Sequence, residues 1–432
     1  MSDRRFSLTN LAMHLSRPSI VFEFQPVSPW VDVEIDRPNV SLGNQEWDTQ
    51  EFAGQFRRSV ARAIDRAERP AVLFSGGLDS AAVLLHASRH CSEQGRQPPT
   101  VILIDMVDDT GVTAADVALP LLTALGLPES VHVLDATTAT GWNHSNVAAW
   151  DPRGPSTIGA PHILDGVDQI AHEQGCDIVL TGDGSDELLG APRMLGTALG
   201  RHPRRLLRYL RDAAHTGGRH ALRLETAAAC ARLGPRRSAT RLYWALLWHE
   251  LCDLTPTAAL TTDHRETVLD WSRTWLQEMI EWHAGEHRGV WYLADAWDSL
   301  FPINDNAALR SNTRVPRQSP FLDEEFLDYV LRRNCSGRYD DRLPVEYHRR
   351  KAAVVSLFPN AVRPALPRIK QLYTTALNIH EGSRRVDYEC SHDLGLIDAA
   401  RAAAETDVAT VGRLAAVEHW LRGAHQAGAI CG

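Results

Sequence analysis

A short loop rich in glycine and serine carries the clearest chemical signal in the chain. Residues 75–80 read Ser-Gly-Gly-Leu-Asp-Ser and lie between an apolar run and a helix-like stretch. Two glycines let the backbone turn tightly and approach a ligand closely. A helix that begins behind the loop directs free N–H groups and partial positive charge at it, which stabilises an anion. With the hydroxyls of Ser75 and Ser80 as further donors, the loop is predicted to bind phosphate.

Asp79 is the unusual member of this loop, because a bare carboxylate repels phosphate. Its presence indicates a Mg²⁺ ion that bridges the carboxylate and the phosphates. The loop lacks a Gly-Lys-Ser/Thr ending, so it is not the P-loop of the common NTPases. The alternative, a glycine-rich turn that binds nothing, remains open on the sequence of the loop alone.

Three later segments carry further polar residues of the kind that catalysis uses. Residues 180–190 read Leu-Thr-Gly-Asp-Gly-Ser-Asp-Glu-Leu-Leu-Gly, residues 319–323 read Ser-Pro-Phe-Leu-Asp, and residues 367–371 read Pro-Arg-Ile-Lys-Gln. Lys and Arg total 45, of which only Lys351 and Lys370 are lysines. A lysine retained against such an arginine bias indicates a position that guanidinium cannot fill. Lys351 falls in a helix-like stretch, 347–358, where we expect a surface or salt-bridge role.

The four segments, in this order, resemble the asparagine synthetase family of nucleotide alpha-hydrolases, over about residues 48–380. The resemblance is to the C-terminal synthetase domain, on the branch of the β-lactam synthetases and lasso-peptide cyclases. It implies a doubly wound parallel α/β sheet with a large helical C-terminal part. It also implies ATP and Mg²⁺ as cofactors, Lys370 as the catalytic residue, and Asp79 and Asp186 as metal ligands. The positions that it implies for ATP binding are Leu73, Ser75, Gly76, Gly77, Asp79, Ser80, Ile104, Met106, Thr181, Gly182 and Asp183.

Two departures from the family pattern bear on the reaction. The glutamine-using members begin with a cysteine at position 2, where this chain has Ser2, and the segment before the synthetase region is too short for a glutaminase. We therefore expect that the chain does not take ammonia from glutamine. Asn312 stands where the family often has an acidic residue, and an amide cannot act as a base.

The resemblance therefore implies an ATP-dependent, AMP-forming amide synthetase. It would adenylate a carboxylate and pass the acyl group to an amine. The amine would lie on the same molecule, which closes a lactam or macrolactam, or on a second molecule, and the reaction would belong to natural-product biosynthesis. Two alternatives stay open: adenylation for sulfur transfer or tRNA modification, and a degenerate synthetase that acts as a pathway scaffold.

The elements that must position these residues follow from hydrophobic periodicity. Apolar runs at 71–74, 100–106, 131–134 and 177–180 alternate with helix-like stretches at 80–91, 113–125 and 163–173, which is typical of a parallel sheet covered on both faces. Earlier, Asp48 or Thr49 is expected to cap a helix whose apolar face repeats every fourth residue from Phe52. Runs 20–24 and 31–35 read as strands, and loops are expected at 302–306 and 315–320.

This pattern divides the chain into three parts. We expect a short N-terminal segment over residues 1–47 with β character, the synthetase domain over 48–380, and a helical segment over 381–432. Beyond Gly190 the strand signals stop. His86 and His90 share a helix face at i and i+4, but no glutamate follows His86, so a structural helix face is favoured over a zinc site.

Composition bears on partners and location. The chain of 432 residues has a net charge of −9, which argues against a general nucleic-acid binder. Its segment 201–241, however, holds eleven arginines against Asp212 and Glu225. One expected helix of this segment carries Arg204, Arg205, Arg208 and Arg211. Its arginines form either a solvated face or a site for an acidic leader peptide or carrier protein.

Seven scattered cysteines and no long apolar run predict a reduced, cytoplasmic protein without a membrane span.

Overall fold

A computed structural model gives the fold of most of the chain. The residues that it describes are 4–15, 28–33, 42–127, 131–137, 150, 152, 154–155, 161–190, 195–200, 202–231, 234–247, 257–285, 314–334, 337–382 and 386–432.

Parallel strands form the centre of the described fold. The strands are β1 (Arg5–Phe6), β2 (Pro70–Leu73), β3 (Thr100–Asp105), β4 (Val131–Asp135), β5 (Ile178–Leu180), β6 (Arg317–Gln318) and β7 (Ile430–Cys431). The central sheet has the order β4-β3-β2-β5-β6, and each of its neighbouring pairs is parallel. The carboxyl ends of these strands therefore meet at one edge, where the connecting loops can build a shared site.

Helices surround this sheet and extend beyond it. They are α1 (Leu8–His14), α2 (Thr49–Ile64), α3 (Leu78–Glu93), α4 (Ala114–Leu125), α5 (Pro161–Glu173), α6 (Ser185–Leu189), α7 (Gly196–Leu199), α8 (Pro203–Ala231), α9 (Arg236–Leu247), α10 (Thr262–Gly285), α11 (Glu324–Leu331), α12 (Glu346–Arg350), α13 (Ala352–Ser356), α14 (Thr374–Gly382), α15 (Glu389–Asp393), α16 (Ala399–Ala403) and α17 (Val408–Gln426). None of these helices is long and apolar enough to cross a membrane.

Alternate residues of each central strand enter different cores, which confirms the doubly wound α/β fold. Val72 and Leu103 lie in the core shared with α2, α3 and α4, whereas Ala71 and Ile102 pack with Val167 of α5 on the opposite face. Both faces of the sheet are thus covered, as the unbroken apolar runs in the sequence require.

Local capping explains where the helices on these faces begin and end. Asp48 caps α2 by accepting hydrogen bonds from the backbone of residues 50 and 51, as predicted. The apolar face that begins at Phe52 and continues through Phe56 is fully buried. Thr113 caps α4, and Gly126 ends it in the left-handed conformation at φ 62°, which glycine adopts without strain.

Two expectations about the strands are wrong. The 315–320 stretch, expected to be a loop, contains β6, which pairs with β5 through Val179 and Leu180, so strands do not stop beyond Gly190. Asp168 fixes the entry to β6 by accepting hydrogen bonds from the backbone N–H groups of residues 314 and 315. Val31 lies in a turn and not in a strand. The expected strand at 20–24 and the expected loop at 302–306 lie outside the described residues.

The two ends of the chain pack together. β1 and β7 form a parallel pair, in which Arg5 is opposite Ile430 and Phe6 is opposite Cys431. A second core joins α1, α10 and α17 around the fully buried ring of Trp420. The expected segments 1–47 and 381–432 thus contribute to one shared core, and the domain boundaries stay predictions.

Helix α8 is bent back on itself. Gly218 interrupts it with φ 61° and ψ −152°, values that a helix does not contain. The hydroxyl of Tyr209 then donates a hydrogen bond of 2.6 Å to Glu225, although 16 residues separate them in the chain. Sixteen residues of straight helix would span about 24 Å, so this contact requires a hairpin. We call residues 203–217 the first arm and residues 219–231 the second arm.

Candidate active site

The serine–glycine loop connects β2 to the first turn of α3, as the sequence predicts. The Oγ atoms of Ser75 and Ser80 lie 3.0 Å apart, and the backbone N–H of Ser75 donates to Ser80 Oγ. The N–H of Gly77 donates to Ser75 Oγ, at 3.4 Å. These contacts hold the loop in one shape at the N-terminus of a sixteen-residue helix, where an anion is favoured.

Two glycines are required by close approach of the backbone. Gly76 has a φ of 75°, and a Cβ atom on it would lie 3.1 Å from Cα of Ala118 in α4. A Cβ atom on Gly182 would lie 3.0 Å from the backbone nitrogen of Ser80, so the loop after β5 packs directly on the loop after β2. The two sequence motifs therefore form one surface at the carboxyl edge of the sheet.

Two carboxylates and two ammonium groups meet at this surface. Lys351 Nζ lies 2.9 and 3.1 Å from the two carboxylate oxygens of Asp79 and 2.6 Å from Asp186 Oδ1. Lys370 Nζ lies 2.7 Å from the other oxygen of Asp186, Oδ2. Ser185 at the start of α6 donates a further hydrogen bond of 2.5 Å to Asp79. The structure thus brings together Asp79, Asp186 and Lys370, and adds Lys351.

The surface position expected for Lys351 is wrong, since 5% of its side chain is exposed. The expected salt-bridge role is confirmed. The helix-like stretch is also broken at this residue: α12 ends before it and α13 begins after it, because its φ of −115° and ψ of 29° are not helical. Lysine is scarce in this arginine-rich chain, and that scarcity was the sequence signal that could have identified Lys351.

A buried ion pair holds α12, and with it the backbone next to Lys351. Arg349 donates to both oxygens of Asp212 in the first arm of α8, at 2.6 and 2.7 Å, and both side chains are almost fully buried. The hydroxyl of Tyr339 donates to the same carboxylate at 2.8 Å. Bidentate geometry fixes direction as well as distance, so α8 anchors the element that ends at Lys351.

Lys370 is positioned by a different set of contacts. Its loop is held by His348 Nε2, which lies 2.8 Å from the carbonyl oxygen of Pro367. On the other side, the N–H of Asp109 donates to the carbonyl of Leu372, at 2.8 Å. Half of the Lys370 side chain (48%) is exposed, so its ammonium group can reach a ligand from the solvent side of Asp186.

The charges of this cluster shift its pKa values in opposite directions. Burial alone raises the pKa of Asp186, but the ammonium groups of Lys351 and Lys370 outweigh it and lower that pKa to about 2. Burial alone lowers the pKa of Lys351, whereas the carboxylates of Asp79 and Asp186 raise it above its ordinary value. The Asp186 carboxyl and the Lys351 amine are therefore both charged at neutral pH.

The residues predicted to border the nucleoside lie around the same edge. Leu73 and Ile104 each pack against the core on the α5 side of the sheet, and Ile104 and Met106 pack against the small core that contains Ala136. Thr181 follows β5 and is buried. Asp183 accepts a hydrogen bond of 2.6 Å from Ser319 at its backbone carbonyl, which joins the second and third sequence motifs.

The donor set fits a Mg²⁺ ion. Asp79 and Asp186 already share one cation, the Lys351 ammonium, so their oxygens converge on a site for positive charge. Mg²⁺ typically uses one or two carboxylates and completes its shell with phosphate oxygens and water. With Asp79 and Asp186 as its protein ligands, the ion would take its remaining ligands from phosphate oxygens and water.

Other residues singled out in the sequence lie apart from this site. His86 is buried, with Nε2 3.1 Å from the carbonyl of Leu357, and His90 pairs with Asp65. Both are structural members of one helix face, as predicted. Asn312 lies outside the described residues.

Similarity to known proteins identifies the family of the chain. A family model described as asparagine synthase matches residues 51–363. Among solved structures, the U34-tRNA thiolase NcsA from Methanococcus maripaludis with its 4Fe-4S cluster is similar at 12% identity. The match covers 56% of this chain and 82% of that one, with a TM-score of 0.24. A search of curated proteins gives no match.

Proposed function

The chain belongs to the asparagine synthase family, and from that premise we propose that it is an ATP-dependent, AMP-forming amide synthetase. The observation that carries the proposal is the meeting of Asp79, Asp186, Lys351 and Lys370 beside the Ser75–Ser80 loop. Two carboxylates and two ammonium groups cancel in formal charge. A site that collects this many charges in one partly buried place is suited to a ligand that is itself highly charged.

The polyphosphate of ATP is that ligand in our proposal. Its phosphates bind at the N-terminus of α3, on the loop whose two serine hydroxyls lie 3.0 Å apart. The loop residues that we assign to them are Ser75, Gly76, Gly77 and Ser80. Mg²⁺ held by Asp79 and Asp186 would neutralise charge on the phosphates. Leu73, Ile104, Met106, Thr181, Gly182 and Asp183 then border the nucleoside.

The first chemical step joins a substrate carboxylate to the α-phosphorus. An oxygen of the carboxylate attacks that phosphorus, the bond from the α-phosphorus to the bridging oxygen breaks, and pyrophosphate leaves as the acyl-adenylate forms. Lys370 is the residue that we place on this step, because its half-exposed ammonium can contact a phosphate oxygen as negative charge develops. Lys351 holds the two carboxylates together from the buried side.

The second step forms the amide. An amine attacks the acyl carbon, the bond to the AMP oxygen breaks, and the amine nitrogen loses a proton to solvent water. Tyr347 is not suited to accept it, because burial and the neighbouring Asp79 raise the pKa of its hydroxyl and keep it protonated. We propose that the acid and the amine belong to natural-product chemistry, in one molecule or in two, and that the enzyme acts in the cytoplasm.

Product analysis tests this proposal. The protein is incubated with ATP, Mg²⁺ and a panel of carboxylic acids, with hydroxylamine present to trap acyl-adenylates as hydroxamates. AMP and pyrophosphate in equal amounts with hydroxamate are expected. ADP and phosphate would contradict adenylation, and an adenylate that passes to a sulfur nucleophile but not to amines would favour the sulfur-transfer alternative. Calorimetry with Mg-ATP separates both from the scaffold alternative, since a scaffold has no need to bind the nucleotide.

A further inference from the structure

The arginine-rich helix α8 has two chemically different faces. Its acidic residues, Asp212 and Glu225, are both buried. Asp212 is held by Arg349 and Tyr339, and Glu225 is held by Tyr209 and the backbone N–H of Gly196. Both carboxylates of this segment are therefore held by partners inside the protein, and neither forms an ion pair with an arginine that the structure describes on the outer face.

The outer face of the first arm presents a continuous basic stripe. It consists of Arg204, Leu207, Arg208, Arg211 and His215, and each of these residues is exposed. Their spacing of three and four residues places them along one side of the helix. From Arg204 to His215 the stripe is about 16 Å long, at 1.5 Å per residue.

The positive charge of the stripe rests on its three arginines, whereas its histidine lies beside the carboxylate of Glu346. Among the described residues, no carboxylate forms an ion pair with Arg204, Arg208 or Arg211, whereas neighbouring Arg205 pairs with Asp341. Leu207 lies in the middle of the stripe with 68% of its surface exposed. An exposed leucine between unpaired guanidinium groups offers both a charged and an apolar contact to a partner.

The stripe leads toward the candidate active site. His215 Nδ1 lies 2.8 Å from the carboxylate of Glu346, the first residue of α12. The next residue, Thr216, donates to that carboxylate and accepts from Arg350. Since Lys351 directly follows α12, a segment bound along the stripe reaches the element that leads into the charged cluster.

We propose that this stripe is the docking site for an acidic segment of a partner polypeptide, with one apolar side chain seated on Leu207. Charge complementarity identifies the partner, because three unpaired guanidiniums at helical spacing match carboxylates at the same spacing. A nucleic acid is the less suitable occupant, since the bases of single strands stack on aromatic rings. The imidazole of His215 is the one aromatic ring among the five residues of the stripe.

Binding of defined probes to the full-length protein tests the proposal without ATP, so its failure is distinct from failure of the synthetase assignment. The probe is a fluorescein-labelled 14-residue peptide with glutamates spaced three and four apart and one central leucine. The comparison probes are the same peptide with serine for leucine and a 14-nucleotide single-stranded RNA. Fluorescence anisotropy is measured at low and moderate salt, because exposed charges are screened by ions.

The triple variant Arg204→Glu, Arg208→Glu, Arg211→Glu is expected to weaken peptide binding at least tenfold and to flatten its salt dependence. Leu207→Ser should weaken binding of the leucine probe about threefold and leave the serine probe unchanged. The matched control reverses three arginines that are exposed outside the stripe, Arg219, Arg223 and Arg237, and should change affinity less than twofold. Unchanged urea unfolding, followed by tryptophan fluorescence, establishes that each variant is folded.

Three results would overturn the proposal: no binding of the acidic peptide to the unaltered protein, an equal loss in the control variant, or tighter binding of the RNA with the same dependence on the stripe.

Discussion

Replacement of each lysine by methionine separates the roles of Lys351 and Lys370. Lys351→Met removes a buried charge that is shared by Asp79 and Asp186, and it leaves those two carboxylates facing each other. Breaking a buried ion pair by removing one partner costs about 3–5 kcal/mol. Asp186 is 42% exposed and can recruit water, so we discount this to about 3 kcal/mol at neutral pH.

Lys370→Met acts on a pair that is half exposed on both sides. Such pairs contribute about 0–1 kcal/mol to the free energy of unfolding, because solvent screens their charges. If Lys370 contacts a phosphate oxygen in the transition state, its loss should lower kcat by about 10²–10³. The two variants are therefore expected to differ in kind: Lys351→Met mainly lowers the free energy of unfolding, and Lys370→Met mainly lowers kcat.

Urea unfolding followed by tryptophan fluorescence measures the first effect, and pyrophosphate release measures the second. A second-site change supplies the control. Asp79→Asn in the Lys351→Met background removes one of the opposed charges and should recover part of the lost stability. Equal unfolding free energies for Lys351→Met, Lys370→Met and the unaltered protein would refute the assignment of Lys351 as the central cation.

The remaining predictions concern the Ser75–Ser80 loop, the buried Asp212–Arg349 ion pair and the pH dependence of stability. Gly76→Ala should lower the free energy of unfolding by about 1–2 kcal/mol and weaken Mg-ATP binding in calorimetry, because the φ of Gly76 is positive and α4 is close to it. Gly95 has a similar φ but open space around it, so Gly95→Ala should leave the Mg-ATP affinity unchanged. Asp212→Asn leaves Arg349 buried without a full counter-charge, so urea unfolding should show a loss of about 3 kcal/mol. Burial lowers the pKa of His86 to about 4 from an ordinary 6.5, so the unfolded state binds the proton at a higher pH than the folded state does. The free energy of unfolding should therefore fall as the pH drops from 6.5 to about 4, by up to about 3 kcal/mol. His86→Gln should remove this part of the pH dependence in unfolding curves, and an unchanged dependence would contradict it.

Much of the fold could be predicted from local sequence. The apolar runs that become β2, β3, β4 and β5 are unbroken because both of their faces are covered, and this pattern is readable without tertiary information. Caps such as Asp48 and Gly126 act on their own helix ends, so they too are visible locally. The edge strand β6 was missed because it has two residues, and pairing with β5 rather than its own pattern makes it a strand.

Local sequence is enough to identify the loop at 75–80, its place between a buried strand and a helix, and the acidic and basic residues that could serve a nucleotide. These features depend on neighbours within one or two turns of the chain. The role of Lys351 as the buried cation of the site is visible only in the folded chain, since 272 residues separate it from Asp79. The same holds for the hairpin of α8, where one non-helical glycine returns the second arm to the first and leaves the arginines outside. Contacts at such separations arise from how packed elements meet, and no local pattern encodes them.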